Sequence, residues 1–267
     1  MSSSHMKYFH KQPDITTNTG RKITIYELNV EKNIDTLEEW AKHLREHYCL
    51  DDEIDFLRSG TGLSREDYLS QMIFPDPKNG MGVAVMSGDF AEILVHDYIE
   101  FIEQYYTTRT RYSRKVNRNS STMGSDVLGY KCSNATMPNK NDELKVLEVK
   151  AQSSETKPEN KLQTAVNHSV KDVARLAESL NAEVQRLVDK NRYDDAKIVR
   201  RFQNKTDRPY KLNFSAVAVH STTSFSEDLL KEVDISNHPD YNINLLVIRS
   251  EKMMEFVKEM YVRASKC

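Results

Sequence analysis

The period of hydrophobic positions changes several times along the chain, and each change predicts an element. In "KITIYELNV" (22–30), Ile23, Ile25 and Leu28 alternate loosely, which predicts a strand. "NIDTLEEWAKHLREHYC" then places Leu37, Trp40, Ala41, Leu44 and Tyr48 at helical spacing, with Asp35 as candidate cap. "LSREDYLSQMIF" predicts a short helix opened by Ser64. In "DFAEILVHDYIEFIEQYY" (89–106), one apolar stripe collects Phe90, Leu94, Tyr98, Phe101, Ile102 and Tyr105. "RYSRKVNRN", "GSDVLGYKC" and "ELKVLEVKAQ" are three strand candidates, the last two joined by the polar loop "SNATMPNKND". A long helix is expected over about 162–190, with Val170, Val173, Ala174, Ala177, Leu180, Val184, Leu187 and Val188 on its buried side. "KLNFSAVAVHS" (211–221) and "NINLLVIRS" (242–250) predict buried strands, and "EKMMEFVKEMYVRA" an amphipathic closing helix.

From residue 89 the order is therefore helix, three strands, long helix, strand, strand, helix. Strands close in sequence pair antiparallel, while a long helix serves as a crossover to a later strand. The expected fold is α/β: a mixed central sheet flanked by helices, with an N-terminal α+β accessory region. The breaker cluster "PDPKNGMG" (75–82) suggests a boundary, giving residues 7–85 and 86–267. The opening "MSSSHM" (1–6) has the look of an appended tag remnant with the natural start at Met6.

Composition narrows the function classes. The 267 residues are 38% hydrophobic and 29% charged, an ordinary soluble balance with enough apolar runs to exclude disorder. Net charge is -2, so any nucleic-acid contact must come from a local patch. Three cysteines, Cys49, Cys132 and Cys267, form no C-x-x-C pair, which argues against a zinc site or disulfide framework and fits a cytoplasmic setting. No apolar stretch is long enough to span a membrane.

The run "DELKVLEVKAQ" (142–152) carries the candidate chemistry. Strand side chains alternate faces, so Leu144, Val146, Glu148 and Lys150 share one face. Asp126 lies 148 − 126 = 22 positions earlier, across a hairpin loop, on the same face as Leu128 and Tyr130. Two adjoining carboxylates repel in a poor dielectric unless a cation sits between them. Mg²⁺, or Mn²⁺ in its place, takes oxygen ligands, polarises a phosphodiester and offsets charge on the leaving oxygen. A neighbouring lysine can orient water or stabilise transition-state charge. The bland alternative is a surface ion pair, because E-x-K occurs three times between Glu143 and Lys157. Only Glu148 follows apolar residues within a strand pattern.

A helix bearing an acid, then "GSD", a hairpin and "LEVK" resembles the PD-(D/E)XK nuclease superfamily, whose restriction-endonuclease-like core runs helix, three strands, helix, strand. That resemblance covers roughly half of the chain. It implies Asp126 and Glu148 as metal ligands and Lys150 as the catalytic lysine. "EEWAKHLREHY", "GDFAEIL", "GSD", "EVK" and the following long helix are similar to the nuclease subunit of Hachiman antiphage systems. That family implies a DNA nuclease held in check by a partner helicase.

Glu92 in "GDFAEIL" is a further candidate catalytic acid, although Asp89 and Glu92 also have the spacing of a helix capping pair. Gln163 and His168 open the long helix and are either site supports or solvated first-turn residues. His220 ends a strand and is expected to be a satisfied histidine. Arg109, Arg111, Arg114, Lys115 and Arg118, interleaved with Tyr112, are candidate phosphate contacts. Lys197, Arg200, Arg201 and Lys205 form a second basic cluster. Trp40, Leu44 and Tyr48 either dock a partner or pack on the chain's own core. The leading expectation is a Mg²⁺-dependent DNA nuclease restrained by a helicase. Its rival is a non-catalytic module of the same fold that binds nucleic acid or a partner.

Overall fold

The computed structural model describes residues 3–134 and 136–267. Met1 and Ser2 of the expected tag remnant, and Ala135 of the expected polar loop, lie outside the described residues. Strands β1 (Phe9–Thr16) and β2 (Lys22–Leu28) open the chain as an antiparallel pair. The pattern of β1, "FHKQPDIT", does not announce a strand, because Pro13 interrupts it. Proline offers no N–H, so it is tolerated at a sheet edge, and the register slips between Gln12 and Ile15.

Helices α1 (Ile34–Glu46), α2 (Asp51–Arg58) and α3 (Arg65–Tyr68) follow. Asn33, rather than Asp35, caps α1 by accepting from the Thr36 N–H, and Ser64 caps α3 as expected. Helix α4 (Gly80–Asp97) starts well before residue 89 and continues into a wider turn, Tyr98–Ile102. It is capped by Asn79 inside the breaker cluster. A Cβ on Gly82 would lie 2.2 Å from the Asp76 carbonyl oxygen, so that turn tolerates no side chain.

Next come β3 (Val127–Lys131), β4 (Glu143–Gln152), α5 (Lys161–Asp189), α6 (Tyr193–Arg200), β5 (Lys211–Ser221), α7 (Glu227–Lys231), β6 (Asn244–Ser250) and α8 (Met253–Lys266). The six strands form one sheet in the order β1-β2-β6-β5-β4-β3. The β2, β6, β5 and β4 neighbours run parallel, with an antiparallel pair at each edge. Helices cover both faces. α1, α4 and α8 pack on Leu147, Val149, Val217 and Ile248, while α5 and α6 pack on Leu144, Val146, Ala216 and Val247. The mixed α/β sheet flanked by helices is the expected fold.

Several expectations give way to the packing. Residues 111–119 form turns rather than a strand, and the pairing near them among the described residues is an isolated bridge between Tyr106 and Tyr130. Their charged side chains find partners that a flat strand would not reach, helped by positive φ at Arg109 and Arg114. The expected 85/86 boundary falls within α4, and β2 pairs directly with β6. Residues 7–85 and 86–267 thus share one sheet and one core. The opening segment also joins the fold: Ser4–Tyr8 make a 3-10 turn, and the His5 ring stacks 4.4 Å from that of Trp40. Trp40, Leu44 and Tyr48 are buried in the chain's own core and present no docking stripe. In α5 the buried side is polar as well as apolar, with Ser169, Asp172, Ser179 and Glu183 beside Leu176, Leu180 and Leu187. Val170, Val173, Ala174, Ala177 and Val188, expected inside, face outward.

Candidate active site

β4 is buried on both faces, and this is what places two charges deep in the molecule. Val146 and Glu148 point toward α5, while Leu147 and Val149 point toward α4. β3 pairs with β4 so that Val127 opposes Leu147. Continuing that antiparallel register brings Asp126 opposite Glu148. Asp126 Oδ2 accepts from the Val149 N–H at 2.9 Å, which anchors the carboxylate to the strand. Gly124 makes this approach possible: its φ of +98° turns the chain, and a side chain there would meet Ser179 Oγ at 3.3 Å. Ser125 is held from α5, its N–H donating to Ser179 Oγ at 3.0 Å and its hydroxyl to Asp172 at 2.9 Å.

Three oxygens meet at Lys150. Its ammonium pairs with Glu148 Oε1, donates to the Val149 carbonyl at 3.2 Å and lies 3.9 Å from Asp126 Oδ2. A cationic point surrounded by two carboxylates and a carbonyl has the donor chemistry of a hard divalent ion, and the residues present fit Mg²⁺ or Mn²⁺. Glu148 is 3% exposed, and its second oxygen pairs with Arg175 at 3.2 Å. His168 stands 3.6 Å from Glu148 at the solvent rim. Burial and the nearby Asp126 raise the Glu148 carboxyl to about 7, against the pull of Lys150.

Glu92 reaches the same place from α4. Arg111 bridges the two acids, 2.8 Å from Glu92 and 2.9 Å from Asp126. Burial raises Glu92 to about 8, opposed by Arg111 and reinforced by Asp126 and Asp89. The capping alternative for Asp89 and Glu92 fails because α4 begins at Gly80. Asp89 is instead buried mid-helix, accepting from Tyr48 and Lys115. The end of β4 and the first half of α4 bound a cleft of about 540 Å³ lined by Glu92, Arg111, Asp126 and Lys150. Beside Val83 and Glu92, its α4 wall carries small side chains: Gly80, Ala84, Ser87 and Gly88.

The four acids and bases expected at the site, Glu92, Asp126, Glu148 and Lys150, are therefore neighbours. The expected phosphate contacts are mostly internal struts. Arg109 pairs with Glu100 at 2.7 Å, Lys115 with Asp89 at 2.8 Å and Arg118 with Asp76 at 3.0 Å. Arg111 is buried in the site, and Arg114 alone of the five is well exposed, 3.4 Å from Glu53. In the second cluster, Lys197 pairs with Asp194, Arg201 with Asp142, and Lys205 lies over the Tyr210 ring. Gln163 bonds the Asp234 backbone away from the site, and His220 Nδ1 is buried without a hydrogen-bond partner among the described residues. Asp172 and Arg175 escaped the sequence reading. Their one signal was spacing: His168, Asp172 and Arg175 recur at i, i+4 and i+7 on a single helix face.

Among the described residues, no helix is long and apolar enough to cross a membrane. No curated protein matches the chain. The model of one protein family, HamA, matches residues 4–264. With nearly its whole length matched, this chain belongs to the HamA family, a component of Hachiman antiphage defence.

Proposed function

We propose that the chain is a metal-dependent DNA nuclease of the PD-(D/E)XK type, restrained in Hachiman defence by a helicase partner. The observation that carries this reading is the convergence of Asp126, Glu148 and the Val149 carbonyl on one cationic point beside an open cleft. When bound by Asp126 and Glu148, Mg²⁺ supplies charge compensation for the scissile phosphodiester. The remaining work falls to side chains. Lys150 orients the attacking water and stabilises charge that grows on the phosphate. Glu148, raised to about 7 in the metal-free chain, gives up its proton when it takes the ion. Arg111 positions Asp126 and Glu92 by pairing with both. The small residues of α4 leave room for a nucleic-acid backbone in the cleft. DNA as substrate and a helicase as partner rest on the resemblance to the nuclease subunit of Hachiman systems.

One observation favours the non-catalytic rival. Both Glu148 oxygens are paired within the chain, to Lys150 and Arg175, as a buried structural ion cluster would be. A cleavage assay separates the two. The purified chain, incubated with plasmid and single-stranded DNA, is expected to cut with Mg²⁺ or Mn²⁺ and to stop with EDTA. Adding the co-expressed neighbouring helicase is expected to suppress cutting and to give a co-eluting complex on size exclusion. A folded chain that cuts nothing, alone or with its partner under any DNA stimulus, supports the binding module instead.

A further inference from the structure

The chain has 8 histidines, and four of them, His5, His43, His47 and His96, meet at one place outside the cleft lining, although His96 shares a small cavity with Arg111 and Asp126. Their rings form a file, with centroids 5.7 Å apart for His5–His43, 5.2 Å for His43–His47 and 5.6 Å for His47–His96. His43 and His47 are one turn apart on α1, so they share a face. His96 and Asp97 end α4, against that face. One ligand atom each from His43, His47 and Asp97 lie within 4.8 Å of one another.

We propose that His43, His47 and Asp97 form a binding site for a borderline divalent ion of the zinc class, with the His96 ring beside it. Three observations support it. His47 and His96 are buried, yet all four of their ring nitrogens lack a hydrogen-bond partner among the described residues. Buried polar atoms without partners are costly and rare, so their clustering calls for an occupant. Next, Asp97 is already oriented as a ligand. His5 Nε2 lies 2.9 Å from one oxygen, the outer support that metal-binding carboxylates commonly have, while the other oxygen faces His43 Nε2 at 2.6 Å. Third, the His47 ring lies next to those of both His43 and His96, with centroids 5.2 and 5.6 Å away, so the imidazoles are clustered.

The opposing charges are Arg109, whose Nη1 lies 3.3 Å from His43 Nδ1, and Arg111, which shares a small cavity with His96. The Arg109 guanidinium is itself neutralised by Glu100 at 2.7 Å. Tetrahedral donors on zinc sit ~2.0–2.2 Å from the ion, so His47 must close in slightly and His43 must part from Asp97. Imidazoles select zinc, cobalt or nickel, whereas the oxygens at Asp126 and Glu148 suit magnesium. An ion here would clamp α1 to the end of α4, the helix that carries Glu92. This inference stands independently of the nuclease reading.

The test is metal titration of the full chain after EDTA dialysis, read by elemental analysis, thermal melting and the visible spectrum with Co²⁺. One zinc per chain is expected, both in wild type and in the Asp126→Asn/Glu148→Gln double variant. A rise in melting temperature and the d–d absorption of four-coordinate Co²⁺ should accompany it. His43→Gln and His47→Gln should each weaken binding by more than the roughly 10–100-fold that loss of an outer-shell partner costs. Far-UV circular dichroism in EDTA checks that both variants fold; if either does not, the Co²⁺ spectrum of wild type decides. Absence of saturable zinc binding, zinc lost in the carboxylate double variant, or a six-coordinate Co²⁺ spectrum overturns the site.

Discussion

Glu148 is buried among opposite and like charges at once. Lys150 and Arg175 hold it as a carboxylate, while burial and Asp126 push it toward the neutral acid. On the nuclease reading, Glu148→Gln and Lys150→Ala each remove a charge positioned for the reaction. Removing one such preorganised group commonly costs ~10²–10³ in rate. Both variants are expected to lose Mg²⁺-dependent cleavage to that extent while keeping wild-type circular dichroism, and wild-type cutting by both would end the assignment. Proton linkage gives a second prediction. Glu148 and Glu92 titrate near 7 and 8 in the fold but near ~4.3 when unfolded, so the native state holds more protons in that window. Their contribution to stability is full below ~4.3 and is lost as pH rises through 7 and 8. Urea midpoints of the metal-free chain should therefore fall more steeply between about pH 5 and pH 8 for wild type than for Glu148→Gln. Mg²⁺ competes with those protons, so it should raise the melting temperature more at pH 8 than at pH 6. Equal Mg²⁺ effects at both would disconnect the ion from these carboxyls.

At the scale of elements, α5 shows how a site can rotate a helix. Hydrophobicity alone places Val170, Val173 and Val188 inside. The structure instead buries Asp172 and Glu183, because Ser125, Tyr130 and Thr108 hydrogen-bond to them from beneath. Hydrogen bonds to buried groups can outweigh the burial of a few valines, which here stay exposed. Val173→Asp should then change the unfolding free energy by no more than about 0.5 kcal/mol, as an exposed site does. Leu180→Asp, at 2% exposure, buries an unpaired charge and should prevent cooperative unfolding altogether. Thermal melts of the two variants side by side check this. The reverse outcome would return α5 to the orientation that hydrophobicity suggests.

For the whole molecule, the sheet ties the first strands to the last. β2 lies between β1 and β6, and Ile23 and Ile25 join the core beneath α5 and α6. A fragment of residues 86–267 would expose the β6 edge and lose the first turns of α4. It is expected to be aggregation-prone and to show no cooperative melt. A sharp transition near that of the full chain would mean the two stretches fold independently.

Apolar periodicity was enough to find β2, β4, β5, β6 and the existence of α1, α5 and α8, because each buries a regular face. "LEVK" and "GSD" were enough to nominate Glu148, Lys150 and Asp126, since charges inside a strand pattern are conspicuous. Three-dimensional packing decided the rest. β1 is held by its partner strand in spite of Pro13. The basic run 109–118 looks like a cationic stripe in sequence, yet most of its charges point inward to Glu100, Glu92, Asp126, Asp89 and Asp76. Those acids lie up to 118 − 76 = 42 positions away, beyond the reach of any local pattern. Arg175 and Asp172 enter the site, and His5 and His96 meet the neighbouring pair His43 and His47, only because long-range contacts bring separate elements together.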